Sequence, residues 1–306
     1  MNRRDFLKGT IAAGTPTLAA SMGSNAAQAA GQPEIYTAVW SAAVGTGAQY
    51  WDKPSDIQTA TNFIKQQVQK GLRLVAWCVF HDHVVVNGKN TYPERYVSCW
   101  GAHGKGSGPI QILPGQKWSD FRESNQGYFK QGLRLVSISP YNRGGEDGCA
   151  AAWSGGLGTG DQVVLKFTSW DEFNNHDQNF FNDGYRLAAR GFHYNSVGQP
   201  THTGVWRKGL GNGAQFSNPE GDWNTFASFA DGQHNAGRRC VSIATAIHSN
   251  QQKFVGTWGA HGWGSGEERK DTIWGLENFK NADEQNFKDG LRLVALNVTR
   301  DISASI

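Results

Sequence analysis

The feature that most limits what this chain can fold into is its period. GLRLVA at Gly71 returns as GLRLVS at Gly132, GYRLAA at Gly184, GRRCVS at Gly237 and GLRLVA at Gly290, at intervals of 61, 52, 53 and 53 residues. Trp40, Trp100, Trp153, Trp206 and Trp258 keep step, each 31 or 32 residues ahead of the next repeat glycine, and a Gly-x-Gly follows each of them. Three marker sets stay in phase five times. A period of this length denotes stacked supersecondary units, none of which can bury its apolar face alone.

Comparing the five copies partly replaces an alignment. A residue type found in every copy serves the scaffold; one confined to a single copy is free to serve a site. RLVSISPY and its equivalents are apolar or β-branched runs between a glycine and a polar turn, which predicts a strand entering a hairpin. The returning strand ends at the tryptophan, as in RYVSCW, CAAAW, THTGVW and KFVGTW. Ahead of each repeat glycine, apolar residues fall at helical spacing: Trp118, Phe121, Tyr128 and Phe129 in one copy, Trp170, Phe173, Phe180 and Phe181 in the next. Ser169 with Glu172 forms a capping box, and the repeat glycine suits the position after the helix, where a left-handed conformation is wanted. The unit reads as strand, turn, strand, Gly-x-Gly loop, helix.

EIYTAVW, before the first Gly-x-Gly, is a returning strand without its partner, and GLRLVALNV at the other end is an outgoing strand without its return. Pairing the two completes a fifth hairpin and removes exposed edges. The expected fold is therefore a β-rich α+β repeat protein: a closed, propeller-like, pseudo-fivefold toroid of β-hairpin plus helix units, with N- and C-terminal strands paired.

NRRDFLKG, the weakly apolar TIAAGTPTLAASMG and Ala27-Gln28-Ala29 match a twin-arginine signal peptide over residues 1–30, leaving 31–306 as a single five-repeat ring domain. Periplasm or the external medium is the expected location. The formal charge of +3 drops to +1 when Arg3, Arg4, Lys8 and Asp5 of the leader are set aside, with no basic stripe, so nucleic acid is not an expected ligand. No later run is apolar enough for a transmembrane segment. Four cysteines, Cys78, Cys99, Cys149 and Cys240, would meet an oxidising compartment. Cys78 and Cys99 lie on partner strands about two positions from facing each other, an awkward geometry for a bridge. Buried free thiols remain the other possibility.

Tyr36-x-Ala-Val-Trp40, a glycine pair, a helix, Gly-Tyr/Leu-Arg-Leu-Val and a following Tyr141 together resemble the bacterial tandem repeat that stands in front of the catalytic domain of polyglycine hydrolases. In those hydrolases the nucleophile belongs to a separate serine β-lactamase-like domain marked by Ser-x-x-Lys. That motif does not occur here, nor do Gly-x-Ser-x-Gly and His-Glu-x-x-His. The resemblance thus implies the accessory repeat without its catalyst.

Among residues able to carry chemistry, the arginine of every repeat (Arg73, Arg134, Arg186, Arg239, Arg292) recurs in all five copies, which argues for a structural pairing with a carboxylate or a carbonyl; an anion-binding ring is the alternative. Candidate binding residues are the unevenly distributed ones. His81, Asp82 and His83 stand in the first hairpin, whose connection is about eight residues longer than the others, and alternate strand residues share a face. His103 and His261 occupy equivalent positions in WGAHGKGSG and WGAHGWGSG, and Trp263 offers an aromatic face. Two histidines on one strand are an incomplete metal set, and no cofactor is implied. The favoured expectation is a non-catalytic scaffold binding a glycan, peptide or protein partner of the cell envelope or medium, because repeated pockets make multivalent attachment natural. The alternative is a small secreted hydrolase, peptidase-like, with or without a metal, working through the histidine-bearing hairpin.

Overall fold

The computed structural model describes residues 33–82, 84–86, 89–143 and 145–300. The signal segment 1–30 and His83 lie outside the described residues. The chain runs β1 (Ile35–Ser41), β2 (Gln49–Trp51), α1 (Ile57–Gln69), β3 (Arg73–His81), β4 (Val84–Val86), β5 (Lys89–Thr91), β6 (Glu94–Gly101), β7 (Ile110–Lys117), α2 (Trp118–Lys130), β8 (Arg134–Arg143), β9 (Glu146–Ser154), β10 (Gln162–Phe167), α3 (Trp170–Asn182), β11 (Tyr185–Tyr194), β12 (Pro200–Lys208), β13 (Gln215–Ser217), α4 (Trp223–Asn235), β14 (Arg239–His248), β15 (Gln251–Gly259), β16 (Glu268–Trp274), α5 (Leu276–Lys288) and β17 (Arg292–Thr299).

The strands form five antiparallel three-stranded sheets, ordered β2-β6-β3, β7-β9-β8, β10-β12-β11, β13-β15-β14 and β16-β1-β17, with β4 and β5 as a separate ribbon in the long first connection. The sequence predicted two strands per unit, so the third is a correction. β2, β7, β10, β13 and β16 follow the Gly-x-Gly loops and pair with the returning strand of the next copy. Their segments carry weak local signals: β2 and β13 have three residues each, and β7 contains Pro114 and Gly115. What makes them strands is a partner in another copy, which no local periodicity records.

The first and last strands pair as expected, and β1 goes further, lying between β16 and β17 with ladders on both sides. Each of β3, β8, β11, β14 and β17 carries a bulge at its third or fourth residue, where Val75, Val136, Ala188, Val241 and Val294 are skipped in the register.

These five outgoing strands form one edge of each sheet, and edges carry unpaired N–H and C=O groups that need partners. They lie against one another in the order β3, β8, β11, β14, β17 and back to β3, and side chains at the seams meet part of that need. Ser137 Oγ accepts from the Trp77 amide and donates to its carbonyl, at 3.1 and 3.0 Å, and Ser139 does the same for Val79. Ser242 serves Arg190 in this way. Asn297 accepts from the Thr245 amide at 3.1 Å, and the Cys78 thiol donates to the Leu296 carbonyl. Between β8 and β11, Pro140 has no N–H to satisfy and packs against Gly191, where an added Cβ would come within 2.3 Å of the proline Cδ. All five outgoing strands also line a cavity of about 30 Å³ midway along their length, room for one water.

Each helix has 13 residues. Asp56, Ser169 and Asp222 cap three of them, Ser169 accepting from the Glu172 amide as predicted. The repeat glycines follow the helix ends with φ between 77° and 86°, the conformation that a β-carbon disfavours. The five periodic tryptophans are buried. In the second, third and fifth sheets the indole Nε1 donates to a helix side chain, Asn125, Asp177 or Asp283, which also accepts from Gln162, Gln215 or Gln49. Each of these glutamines in turn accepts the amide of Leu135, Leu187 or Leu293 beside the bulge. In the fourth sheet the helix offers only Ala230, and Glu268 replaces the pair, accepting Trp258 Nε1 on one oxygen and the Cys240 amide on the other. Ile64 stands at that helix position in the first copy, and Trp100 donates to Ser98 instead. The acceptor changes from copy to copy while the buried indole N–H is always satisfied.

Candidate functional site

The repeat arginines are structural, as their recurrence implied. Arg134, Arg186 and Arg292 each donate Nε to the last glycine of the neighbouring Gly-x-Gly (Gly160, Gly213, Gly47), and Nη1 to helix-end carbonyls. Arg73 and Arg239 reach the middle residues Ser107 and Ser265. The glycine loops therefore receive a guanidinium from the scaffold, and each runs into a strand rather than directly into a helix. The anion-binding ring falls with this geometry.

The remaining candidates separate into two groups at opposite ends of the outgoing strands. Where those strands end, His81 lines a cavity of about 160 Å³ together with Tyr141, Asn142, His193, Thr245 and Asn297. The imidazole of His81 meets the Tyr141 ring edge-on at 4.8 Å, and its Nε2 is buried without a partner; burial holds its pKa below the ordinary histidine value. Asp82 pairs with Arg95 at 3.1 Å and with Arg300. Nearby acids are similarly engaged. Glu94 accepts from the Tyr96 and Tyr141 hydroxyls; Asp147 accepts from His193, Lys166 and Asn142.

Where the outgoing strands begin, His103, His261 and Trp263 come together on a cavity of about 230 Å³. Both histidines use Nε2–H to hold an outgoing strand, His103 on the Leu293 carbonyl and His261 on that of Leu187, at 2.9 Å each. Their imidazoles also pack over Gly101 and Gly259, where an added Cβ would lie 2.4 and 2.6 Å from the ring. With Nε2 so engaged and burial depressing both pKa values, they act as neutral brackets. Trp263 stands edge-on to His103 with centroids 6.1 Å apart.

Two lining residues escaped the sequence reading. Lys105 occupies the place of Trp263 in its own copy; the residue before the Gly-x-Gly is Val44, Leu157, Leu210 or Trp263 elsewhere. Although the residue is half-exposed, its ammonium is drawn inward to donate to the Val136 carbonyl at 3.2 Å. Burial, helped by the charge of Arg207, pushes its pKa down to about 8. Arg207 follows Trp206, where the other copies carry Ser41, Gly101, Ser154 and Gly259. It is 7% exposed, and its Nε and Nη1 are buried without hydrogen-bond partners. Both are single-copy residues at otherwise small or apolar positions, the signal that the internal comparison supplies.

Among the described residues, no group of three or more His, Cys, Asp or Glu side chains is placed to hold a metal. The four cysteines are buried and unbridged. Cys78 faces Val97 and Cys99 faces Ala76 in the ladder, the two-position offset expected. Burial pushes the Cys78 thiol up to about 12 and raises the other three, so none is a ready nucleophile. No described helix is long and apolar enough to cross a membrane.

Comparison with curated proteins gives no match. Residues 109–154 match the family described as polyglycine hydrolase-like, structural repeat, a span that coincides with β7, α2, β8 and β9, one sheet with its helix. The matched unit thus begins at the third strand, the element that the sequence left unread, and the same succession of strand, helix, strand, strand recurs through the described chain. Over residues 109–154 the chain is thus similar to the polyglycine hydrolase-like structural repeat.

Proposed function

We propose that the protein is a secreted or periplasmic, non-catalytic scaffold, closed as a pseudo-fivefold propeller-like toroid, which presents cavities at its two axial mouths to a glycan, peptide or protein partner of the cell envelope. The cyclic order of contacts among β3, β8, β11, β14 and β17, and the lining of one narrow cavity by all five, support the toroid. The twin-arginine segment of residues 1–30 is the ground for export, with 31–306 as the ring domain.

One observation carries the scaffold reading. Wherever the copies agree on a polar residue, that group is engaged within the fold: the arginines on carbonyls, the indole N–H groups on their acceptors. Among the buried polar atoms without a partner are His81 Nε2, His193 Nδ1 and Arg207 Nε and Nη1, which belong to single-copy residues lining the two mouths. A scaffold that carries single-copy polar residues at its openings is suited to recognition.

The test is an array of envelope glycans and peptides probed with the protein as released by its host, with intact mass locating the cleavage site. Saturable binding to one class, and a mature chain starting near residue 31, are expected. Absence of binding across the array, together with turnover of any substrate class by the same preparation, would sink the scaffold reading in favour of the hydrolase.

A further inference from the structure

The cavity at the start of the outgoing strands combines features that ordinarily exclude one another. Its wall is mostly apolar, with Leu135, Leu157, Leu210, Val241 and Trp263 among its lining residues. Two cations, Lys105 and Arg207, are among its lining residues, and no Asp or Glu is. Neither cation has an ion-pair partner among the described residues. A guanidinium more than nine-tenths buried, with two nitrogens unsatisfied, carries a desolvation cost of several kcal/mol that no carboxylate of this chain offsets. Such a group is complete only when an anion enters.

The kind of anion follows from the available donors. Backbone amides of the loop are already engaged: Gly104 N–H on the Gly101 carbonyl, Lys105 N–H on that of Leu74 and Trp263 N–H on that of Cys240. These three are therefore not available to surround a phosphate. What remains is one planar fork and one ammonium, which suit a single carboxylate. The apolar wall must then meet an apolar body. An engineered cavity of about 150 Å³ takes benzene, so about 230 Å³ holds an aromatic or branched aliphatic group bearing its carboxylate.

We propose that this cavity binds a carboxylate carried on an apolar body, with Arg207 and Lys105 taking the charge and Trp263, Leu157 and Leu210 enclosing the remainder. The same chemistry is offered by a free organic acid and by the C-terminal residue of a peptide. The inference rests on the scaffold reading and names what one of its mouths recognises.

Isothermal titration of the full chain with 3-phenylpropionate and with its amide tests it, alongside Gly-Gly-Phe with a free or an amidated C-terminus. Saturable binding by a carboxylate, weakened at least about tenfold in the matching amide, is expected. The stronger arm tells free acid from chain end. Arg207→Gln and Lys105→Leu should each weaken that binding by about tenfold or more. Lys105→Leu keeps the fold testable, because the other copies carry Val, Leu or Trp there, and circular dichroism verifies it. Equal affinity for acid and amide, no saturable binding by any of the four probes, or affinity unchanged by Lys105→Leu would overturn the proposal. Should the carboxylates fail while the array still shows a bound glycan, the scaffold reading survives and this inference alone falls.

Discussion

Where the outgoing strands end, Asp147 gathers His193, Lys166 and Asn142, Asp82 gathers Arg95 and Arg300, and Glu94 takes two tyrosine hydroxyls. Where they begin, Arg207 and Lys105 face an apolar cavity with no carboxylate on its lining. Both ends are made by the same five strands, so the difference is not one of architecture. One end closes its electrostatics inside the chain, and the other leaves them open to whatever arrives. Charge reversal or deletion must therefore act with opposite sign at the two ends.

The largest effect should come from removing what both ends share. Deleting residues 33–41 takes β1 from between β16 and β17, exposing two edges and removing the buried Tyr36, Val39 and Trp40. Losing one buried indole alone costs about 3–5 kcal/mol, and the whole strand amounts to a large part of a typical domain's stability. Cooperative thermal unfolding by circular dichroism should vanish. A truncated protein that melts like the intact one would disprove the central role of β1.

Next comes the closed end. Asp147→Ala leaves the buried His193 and the Lys166 ammonium without their acceptor, and should destabilise by about 2 kcal/mol in urea titration, discounted for the partial exposure of Asp147 and Lys166. The hydrogen bond from His193 holds the Asp147 carboxyl well below the usual carboxylate range. Its contribution is therefore complete above the unfolded value of about 3.9 and is lost as pH falls below it. The wild type should lose stability on acidification in this range more steeply than Asp147→Ala.

How far the sequence revealed all this can be judged from particular residues. The helices, their glycine stops, the Ser169 cap and the pairing of the first strand with the last were legible, because each depends on residues within one or two turns or on the phase of the repeat. The strands Gln49–Trp51 and Gln215–Ser217 were not, since their hydrogen bonds go to the next copy. His103 and His261 were paired by their shared motif and, with Trp263, line one cavity, yet the two histidines turned out to hold Leu293 and Leu187. His81 and Asp82 belong to the other end, a distance that hairpin spacing does not encode. Lys105 and Arg207 were visible in the internal comparison, as single cations in small or apolar columns, but only burial shows that they lack an internal counter-ion.

The smallest effect belongs to the open end and has the opposite sign. Lys105→Leu removes a charge held against its desolvation and restores the apolar type of the other copies, so it should stabilise the ligand-free protein by about 1 kcal/mol at pH 7. The pH dependence sharpens this. Burial sets the folded pKa of Lys105 at about 8, below the unfolded value of about 10.4. Between those values the unfolded chain binds the proton that the folded chain has released, so this group makes stability rise with pH across the window. The half-exposed residue can relax toward solvent, which limits the rise to about 0.5 kcal/mol. The wild-type minus Lys105→Leu difference in urea midpoint should therefore shrink from pH 7.5 to pH 10. A saturating carboxylate should reverse the sign at pH 7.5, since the bound anion favours the ammonium that the empty cavity disfavours. If the difference is the same at both pH values, Lys105 is solvated like any surface lysine, and the contrast between the two ends reduces to Arg207 alone.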